Sequence, residues 1–196
     1  MPYPNIYLAS ASPRRAALLA QMGVAFDVLP LGEHAVDETV HGREAPLAYV
    51  KRLAHAKAAA GLCAMRACGM AARPVLAADT TVCLGRVILG KPENAADARR
   101  MLRLLSGKTH RVLTAIALAR GASIKVMVSD SRVSFATLAR GDIETYIATG
   151  DPFDKAGAYG IQGPAGAFVA QLNGSFSGVM GLPVHETSIL IRTSRA

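Results

Sequence analysis

The segment Asn5-Ile-Tyr-Leu-Ala-Ser-Ala-Ser-Pro-Arg-Arg15 joins a short apolar strand to the start of a helix. Residues 5–9 predict a buried strand, and Ser12-Pro13 supplies an N-cap residue followed by proline at the first helical position. Apolar residues then recur with helical spacing as far as Gly23, which is in the usual place of a left-handed cap. A second strand over residues 25–30 completes a strand-helix-strand unit.

The same segment has the features of a phosphate site. Ser10 and Ser12 lie beside free backbone amides at the positive end of the predicted helix, and Arg14 and Arg15 add two guanidinium groups. An alternative remains open at this point, in which Ser12 only caps the helix and the arginines are solvated. The sequence contains no G-x-x-x-x-G-K-[ST] or G-x-G-x-x-G pattern, so Walker-type and dinucleotide sites lose their main support.

The rest of the chain alternates between strand and helix patterns. These patterns predict an Ala-rich helix from Pro46 that frays around residues 61–69, a strand at 75–78, a hairpin at 82–84 and 87–89, an amphipathic helix at 95–105, long strands at 112–119 and 125–135, a helix at 142–149, a glycine-rich loop between 157 and 181, and a last helix from Pro183. This order predicts an α/β fold with a mixed sheet flanked by helices. No domain break is visible, so residues 1–196 are expected to form one domain.

Composition limits the class of protein. The chain has 196 residues, of which 51% are apolar, so it can bury one sizeable core and is not disordered. Its net charge of +8, from 22 Lys and Arg against 14 Asp and Glu, favours anionic partners. The basic residues are scattered and only 5% of residues are aromatic, which argues against nucleic-acid binding. A small phosphorylated ligand is the expected partner.

The apolar runs and the cysteines bear on location. The early apolar run from Ile6 to Ala11 is short and is followed by arginines, so neither a secretory signal nor a membrane span is predicted. Cys63, Cys68 and Cys83 lack a paired C-x-x-C spacing and are expected to be reduced thiols. We therefore expect a cytoplasmic protein without membrane contact.

Carboxylates are the second candidate feature. Asp79 follows the apolar strand Leu76-Ala-Ala78, at the end where open α/β sheets place functional side chains. A lone Asp there also forms turns, but Thr80-Thr81-Val82 continues with β propensity, which favours a site residue. The segment Gly32-Glu-His-Ala-Val-Asp-Glu38 adds three carboxylates, and any that approach Asp79 could hold a hard cation such as Mg²⁺. An exposed acidic loop is the alternative.

Other reactive groups give weaker signals. His34 and His41 match no common zinc spacing, and no nucleophile elbow or Cys/His signature is present. Water activated by a metal or a carboxylate is therefore the expected nucleophile. Lys57, Lys91 and Lys155 lie beside local structure signals, but exposed surface is the ordinary interpretation of each lysine.

A series of short motifs extends over nearly the whole chain: Ser10-Ala-Ser-Pro-Arg-Arg15, Val36-Asp-Glu38, Leu53-Ala-His-Ala-Lys-Ala58, Ala78-Asp-Thr80, Gly90-Lys-Pro92, Ser106-Gly-Lys-Thr-His110, Asp154-Lys-Ala-Gly-Ala-Tyr-Gly-Ile-Gln-Gly163, Asn173-Gly-Ser175 and Gly181-Leu-Pro183. Taken in this order, the motifs strongly resemble those of the Maf family of nucleoside triphosphate pyrophosphatases. Several of these motifs are weak alone, but their order is highly specific.

The resemblance implies an elongated α/β protein with two lobes around a deep cleft. Such a protein is usually a homodimer and splits a nucleotide between its α and β phosphates with Mg²⁺ or Mn²⁺. The family's catalytic and metal-binding aspartate falls on Asp79, and its metal-associated glutamate on Glu38. Its substrate-binding positions fall on Ser10, Ser12, Arg15, Lys57, Lys91 and Lys155.

The resemblance also implies a substrate. The branch of the family that acts on dTTP and UTP matches Arg14, Thr80 and Gln162, whereas the branch that acts on 7-methyl-GTP differs at all three positions. We therefore expect a dTTP/UTP pyrophosphatase that removes non-standard or modified pyrimidine nucleotides. The departures are Ala77-Ala78, where Gly-Ala is frequent, and extra residues between positions 63 and 73.

Two other functions stay open. One is a nucleotide-binding regulator of division or septum formation whose hydrolysis is incidental. The other, ranked last, is a basic protein that binds nucleic acid, with an affinity that falls steeply with salt.

Overall fold

The computed structural model describes residues 3–32 and 35–193. The strands in these ranges are β1 (Ile6–Leu8), β2 (Phe26–Val28), β3 (Val75–Leu84), β4 (Val87–Leu89), β5 (Thr109–Arg120), β6 (Ser123–Phe135) and β7 (Val169–Asn173). The α-helices are α1 (Pro13–Gln21), α2 (Pro46–Ala67), α3 (Ala95–Leu105), α4 (Arg140–Ala148), α5 (Phe176–Met180) and α6 (Val184–Thr193). Short 3-10 helices lie at Asp151–Asp154, Ala156–Ala158 and Pro164–Phe168.

The strands form one mixed sheet. Its order is β2-β1-β3-β5-β6-β7, and β4 also pairs with β3. β1 is parallel to β2 and to β3, whereas the other pairs are antiparallel. The predicted α/β fold with a mixed sheet and flanking helices is confirmed.

The β1-α1-β2 unit follows the sequence closely. β1 and β2 pair in parallel, and α1 crosses between them with Leu18 and Leu19 buried. Gly23 has a φ of +69°, as expected of a residue in the left-handed region after a helix. Ser12 occupies the N-cap position in an extended conformation, but its side chain makes no capping hydrogen bond within the described chain. The predicted helix start and the predicted N-cap residue are therefore right, although the N-cap position does not use the Ser12 hydroxyl.

One edge of β3 is interrupted. β1 pairs with this edge at Val75 and Leu76, and β4 pairs with it over residues 82–84. Residues 77–81 pair with β5 on the opposite edge, and no strand in the described ranges covers them on this one. The sheet therefore contains a gap between β1 and β4, lined by the middle of β3.

Asp79 lies in the middle of this ten-residue strand. The prediction that it ends a strand is wrong, because residues 80–83 continue the antiparallel pairing with β5. The β propensity of Thr80, Thr81 and Val82 is sufficient to extend the strand. Asp79 is therefore a buried residue beside the gap, with 10% of its side chain exposed.

Three apolar clusters pack on the sheet. Successive strand residues point to opposite faces, so Val75 and Ala77 contact α2 while Leu76 and Ala78 face α1 and α6. A third cluster gathers α3 and α4 around the other end of the long strands, at Val82 in β3. The gap lies between the cluster that includes α1 and α6 and the cluster that includes α3 and α4.

Helix α2 is continuous from Pro46 to Ala67, so the predicted fraying from residue 61 is wrong. A Cβ on Gly61 would lie 2.8 Å from Val75 Cγ1 and 2.9 Å from Ala9 Cβ. Glycine at this position therefore lets the helix approach the sheet closely, and the packing outweighs its poor helix propensity.

The chain after residue 150 departs most from the predicted pattern. The segment between residues 157 and 181, expected as a glycine-rich loop, contains the 3-10 helix Pro164–Phe168, the edge strand β7 and the short helix α5. Ser175 caps α5 by accepting a hydrogen bond from Gly178 N at 2.9 Å, and Gly181 ends it with a φ of +115°. Helix α6 follows Pro183 as predicted.

Two further observations concern the whole described chain. No helix within residues 3–32 and 35–193 is both long and apolar enough to cross a bilayer. The three cysteines are free thiols, with Cys83 buried and Cys63 and Cys68 exposed.

Candidate functional site

Arg15 begins on α1 and reaches across the gap to β3. Its Nε donates to the carbonyl oxygen of Gly181 at 2.8 Å, and its two terminal nitrogens donate to Ser10 Oγ at 3.2 Å and Thr80 Oγ1 at 3.3 Å. Ser10 Oγ also accepts from the amide of Ser12 at 3.3 Å. The guanidinium is thus fixed on three sides, and in the described structure one N–H on each terminal nitrogen is left for a ligand.

Arg15 is partly buried, and its surroundings affect the pKa of its guanidinium group. Burial lowers the pKa of Arg15 from its ordinary value, and the nearby carboxylates of Asp79 and Glu38 act in the opposite direction. An arginine remains protonated under such conditions, so the site presents a permanent cation with reduced hydration. This is an arrangement that suits a phosphate oxygen pair.

Lys57 of α2 joins two carboxylates on the other face of β3. Its Nζ lies 2.7 Å from Asp79 Oδ1 and 2.6 Å from Glu38 Oε1. The Asp79 side chain is 10% exposed, and Thr81 Oγ1 donates to its second oxygen at 3.4 Å. Glu38 is more open, with 56% of its side chain exposed. A buried acid and an exposed acid therefore share one ammonium group.

The loop that carries Glu38 is held by Tyr49 and Arg52 of α2, and no local pattern in the sequence indicates either as a site residue. Arg52 donates to the carbonyl oxygens of Asp37 at 3.1 Å and Thr39 at 2.8 Å, and it forms a two-point ion pair with Glu44 at 2.9 and 2.8 Å. Tyr49 Oη donates to the carbonyl oxygen of Glu38 at 2.8 Å. The backbone on both sides of Glu38 is thereby tied to the helix that supplies Lys57.

The carboxylates of the site also affect the pKa of Tyr49. Burial raises the pKa of Tyr49 to about 12, and the carboxylates of Asp79 and Glu38 add to the effect. The phenol is consequently neutral at physiological pH and can donate to the loop.

The gap in the sheet explains why these residues meet. Asp79 and Thr80 are consecutive, so their side chains lie on opposite faces of β3, yet both flank the unpaired edge. The end of β1 leads into Ser10 on one side of the gap. β4 runs back along β3, with Leu89 opposite Val82, and so directs Lys91 towards the same level from the other side.

The remaining predicted site residues, Lys91, Gln162, Arg14 and Lys155, differ in the contacts they make. Lys91 and Gln162 are exposed, and no hydrogen bond or ion pair is formed by either within the described residues. Arg14 forms an ion pair with Asp154 at 3.1 Å. Lys155 Nζ contacts Asp154 Oδ1 at 2.6 Å, and Asp151 at Oδ1 (2.9 Å) and at its carbonyl oxygen (2.5 Å). Arg14 and Lys155 therefore share one carboxylate in this state.

The carboxylates fit a hard cation better than a soft one. Asp79 and Glu38 both place an oxygen within hydrogen-bond distance of Lys57 Nζ, so these oxygens are close enough to contact one small cation. No group of three or more His, Cys, Asp or Glu side chains suited to a metal occurs within residues 3–32 and 35–193. Two carboxylates that leave positions for water and phosphate oxygens match the binding of Mg²⁺.

The acidic segment contributes only part of what the sequence predicted. Glu38 reaches the site, whereas Asp37 bonds with Thr39 and His41 on the exposed loop. The predicted third carboxylate, Glu33, and its neighbour His34 lie outside the described residues.

The fold and the site together define a class: an α/β protein whose cleft is a break in one mixed sheet, lined by cations and two carboxylates. Comparison with known proteins specifies this class. The chain matches the family model described as Maf-like protein over residues 5–194. It belongs to the Maf family.

Named relatives agree with this membership, and a solved structure shows the same fold. A protein from Chromobacterium violaceum named dTTP/UTP pyrophosphatase is 52% identical over 188 residues, which cover 95% of this chain and 93% of that protein. A protein of the same name from Ralstonia nicotianae is 53% identical over 195 residues, covering 97% and 94%. A solved HAM1 protein from Coxiella burnetii shares the fold, with a TM-score of 0.51 and 17% identity, over 96% of this chain and 98% of that one.

Proposed function

We propose that this protein hydrolyses dTTP and UTP, and modified pyrimidine nucleotides, to the monophosphate and pyrophosphate. The observation that carries the proposal is the convergence of Arg15 and Lys57 with Asp79 and Glu38 at the gap in β3. A cleft with fixed cations and a buried acid suits the charge that spreads over phosphate oxygens during hydrolysis. The names of the relatives from Chromobacterium violaceum and Ralstonia nicotianae support the same reaction and substrates.

In the proposed reaction, one water adds to the nucleotide and the bond between the α and β phosphates breaks. Asp79 orients the water and accepts its proton, and Arg15 binds phosphate oxygens with its two remaining N–H groups. Lys57 offsets one of the two negative charges of Asp79 and Glu38 in the free protein, and it exchanges these carboxylates for a phosphate oxygen when substrate arrives. The water oxygen bonds to one of the two bridged phosphorus atoms as the bond from that atom to the bridging oxygen breaks, and the proton taken up by Asp79 is then released to solvent.

Asp79 and Glu38 would hold a divalent cation, Mg²⁺ or Mn²⁺. When bound, such a cation supplies charge compensation for the phosphate oxygens and lowers the pKa of coordinated water. The buried Asp79 is the fixed ligand in this arrangement, and the more exposed Glu38 is the adjustable one.

The other predicted residues receive proposed roles around this centre. Ser10 and Ser12 contact the phosphates beside Arg15, and Lys91 is free to approach them from the β4 side. Lys155 joins them after substrate oxygens replace its contacts with Asp154 and Asp151. Arg14 and Gln162 are proposed to select the base, whereas the hydroxyl of Thr80 is engaged on the protein side.

A product analysis tests the reaction. Purified protein with Mg²⁺ or Mn²⁺ is expected to release pyrophosphate from dTTP and UTP, detected as orthophosphate that appears only after inorganic pyrophosphatase is added. Chelation of the metal is expected to stop the release. Orthophosphate as the first product would contradict the proposal, and tight nucleotide binding without turnover would favour the nucleotide-binding regulator instead.

Asp79→Asn tests the role of the buried acid. The amide cannot accept the proton of the water and is a poorer cation ligand, so kcat is expected to fall by about 10²- to 10⁴-fold. Asp130→Asn is the matched control, since Asp130 is paired with Arg111 on the surface of the sheet away from the gap. Full activity in Asp79→Asn would remove Asp79 from the proposed role.

Assembly and location are also proposals. A homodimer in the cytoplasm, acting on a small nucleotide without nucleic acid or membrane, is the state expected from the family resemblance and the composition. Light scattering on the eluted protein tests the dimer, and fractionation of cells tests the location.

A further inference from the structure

A chain of hydrogen bonds runs from Arg15 away from the gap and into the protein. The terminal nitrogen of Arg15 donates to Thr80 Oγ1 at 3.3 Å, and Thr80 Oγ1 lies 3.0 Å from Thr114 Oγ1. Thr114 Oγ1 in turn donates to the carbonyl oxygen of Gly178 at 2.7 Å. Thr114 is fully buried on β5, opposite Thr80 in the sheet. The chain therefore links the guanidinium to the backbone of α5.

The direction of this chain is fixed by elementary donor and acceptor rules. A carbonyl oxygen only accepts, so the single hydroxyl hydrogen of Thr114 is committed to Gly178. Thr114 must then accept from Thr80, which commits the hydroxyl hydrogen of Thr80 as well. The order is Arg15 to Thr80 to Thr114 to Gly178. Thr80 consequently has no hydrogen to donate to a nucleotide base.

The far end of the chain is rigidly supported. Ser175 Oγ caps α5 at Gly178, and the amide of Ser175 donates to Ser131 Oγ on β6 at 2.9 Å. A Cβ on Gly174 would lie 2.6 Å from Ser131 Oγ, so glycine is needed for this close approach. The Asn173-Gly-Ser175 motif thus seats α5 on the sheet.

The same helix supplies a second contact to Arg15. Gly181, the residue that ends α5, accepts from Arg15 Nε, and a Cβ there would lie 3.4 Å from that nitrogen. Arg15 is therefore held by α5 twice, once directly through Gly181 and once through Thr80 and Thr114. Its remaining N–H groups are directed by these contacts.

We propose that Thr114, acting through Thr80, is a positioning residue that orients the Arg15 guanidinium for phosphate. The inference rests on the proposed function, in which Arg15 binds phosphate oxygens. It assigns Thr80 to the phosphate clamp and not to contact with the base. The consequence is that loss of either hydroxyl weakens every ligand that carries the same phosphates, whatever its base.

Calorimetric affinity for inorganic pyrophosphate with Mg²⁺ tests the proposal without turnover, alongside the KM and kcat of pyrophosphate release from dTTP, UTP and GTP. Thr114→Val is expected to weaken pyrophosphate binding and raise each KM by about tenfold, because a hydrogen bond in a chain to a charged group is lost. Thr114→Ser keeps the hydroxyl and is expected to remain within about twofold of the wild type.

Thr80→Val gives a second test at a position that is only half-buried. Its effect is expected to equal that of Thr114→Val, and the double variant is expected to be no worse than either, because both act on one chain. Thr187→Val is the matched control, since Thr187 is a buried threonine that donates to the carbonyl oxygen of Pro183 at 2.7 Å without touching Arg15. It is expected to leave affinity and KM unchanged.

The outcomes separate the two proposals. Wild-type protein that binds pyrophosphate but releases none from nucleotides would contradict the proposed function and leave the positioning role supported by the binding data. Wild-type affinity in Thr114→Val, additive losses in the double variant, or a change in Thr80→Val confined to the ratio of dTTP to GTP would overturn the positioning role. Absence of pyrophosphate binding by the wild type would overturn it as well.

Discussion

His110 is a buried imidazole on β5, where it contacts the hydroxyl of Tyr159 at 2.8 Å and packs edge-on against Phe135. Burial lowers the pKa of His110 to about 4. The unfolded chain, with a pKa near the ordinary 6.5, binds more protons than the folded chain between these values. Stability conferred by the neutral imidazole is therefore complete above pH 6.5 and is lost as the pH falls towards 4.

Denaturant unfolding at pH 7.5 and pH 4.5 measures this effect. We expect His110 to account for a loss of about 2 to 3 kcal/mol in the free energy of unfolding between the two values. A His110→Gln variant is expected to show a pH dependence smaller by that amount. His55→Gln, at an exposed position on α2, is the control and is expected to keep the wild-type dependence. An unchanged pH dependence in His110→Gln would contradict the assignment.

The predictability of the site differs from residue to residue. Ser10, Arg15 and Asp79 interrupt apolar segments with polar groups, and such an interruption is visible in one sequence. Thr114 is an ordinary residue for a strand, and its acceptor lies 64 positions further along the chain. Arg52 is likewise an ordinary residue for a helix. Contacts of this kind depend on tertiary structure, and no local pattern indicates them.

At the scale of elements, α2 is the helix on which the site depends most, and Gly61 controls how it packs. Gly61→Ala improves helix propensity but places a methyl group against Val75 and Ala9, so we expect a loss of about 1 to 3 kcal/mol in stability. Gly141→Ala makes the same change in α4 with open space around the Cβ, and a gain of up to about 1 kcal/mol is expected. Thermal unfolding of both variants measures the contrast, and equal effects would contradict close packing at Gly61.

Helix α2 also holds the Glu38 loop through Arg52. Arg52→Ala removes the ion pair with Glu44 and the contacts to two carbonyl oxygens, so the loop is released from the helix. We expect the metal concentration needed for half-maximal activity to rise about tenfold while Asp79 stays in place. Arg99→Ala breaks a similar two-point ion pair with Glu144 between α3 and α4 and serves as the control. Equal metal dependence in the two variants would exclude a positioning role for Arg52.

Elements were predictable where local signals agree with one another. α3 has the predicted bounds, since Asn94 caps it by accepting from Asp97 N at 3.0 Å and its apolar residues recur with helical spacing. β7 and α5 were not predicted as elements, because glycines interrupt their short apolar patterns. α5 has only five residues, and its position depends on contacts with Ser131 on a distant strand.

At the scale of the whole molecule, the three apolar clusters share the strands β3 and β5. One cooperative unit is therefore the expected form of residues 1–196. Helix α1 is also joined to the 3-10 helix Asp151–Asp154, which follows α4, by the ion pair of Arg14 with Asp154. Both side chains are substantially exposed, so the pair contributes little to stability.

Asp154→Asn tests the effect of this pair on the open site. Removing the carboxylate frees Arg14 for an anionic ligand and leaves Lys155 paired only with Asp151, so we expect the KM for dTTP to fall by about two- to fivefold at low salt. The free energy of unfolding is expected to change by less than about 1 kcal/mol. Asp27→Asn, which breaks the exposed pair with Arg73 at the other end of the sheet, is the control. A KM that rises in Asp154→Asn would show that Asp154 assists binding.

The interrupted edge of β3 has a consequence for how the substrate range can change over time. β1 leads into Ser10 and β4 leads into Lys91, so the number of unpaired β3 residues between these two strands sets the opening, at about 3.3 Å per residue. Inserting or deleting one residue would exchange the faces of Asp79 and Thr80 and separate each from its partner. Only changes of two residues keep both faces, and each such step alters the opening by about 7 Å. We therefore expect the opening between Ser10 and Lys91 to change in steps of two residues and not by gradual lengthening of this strand.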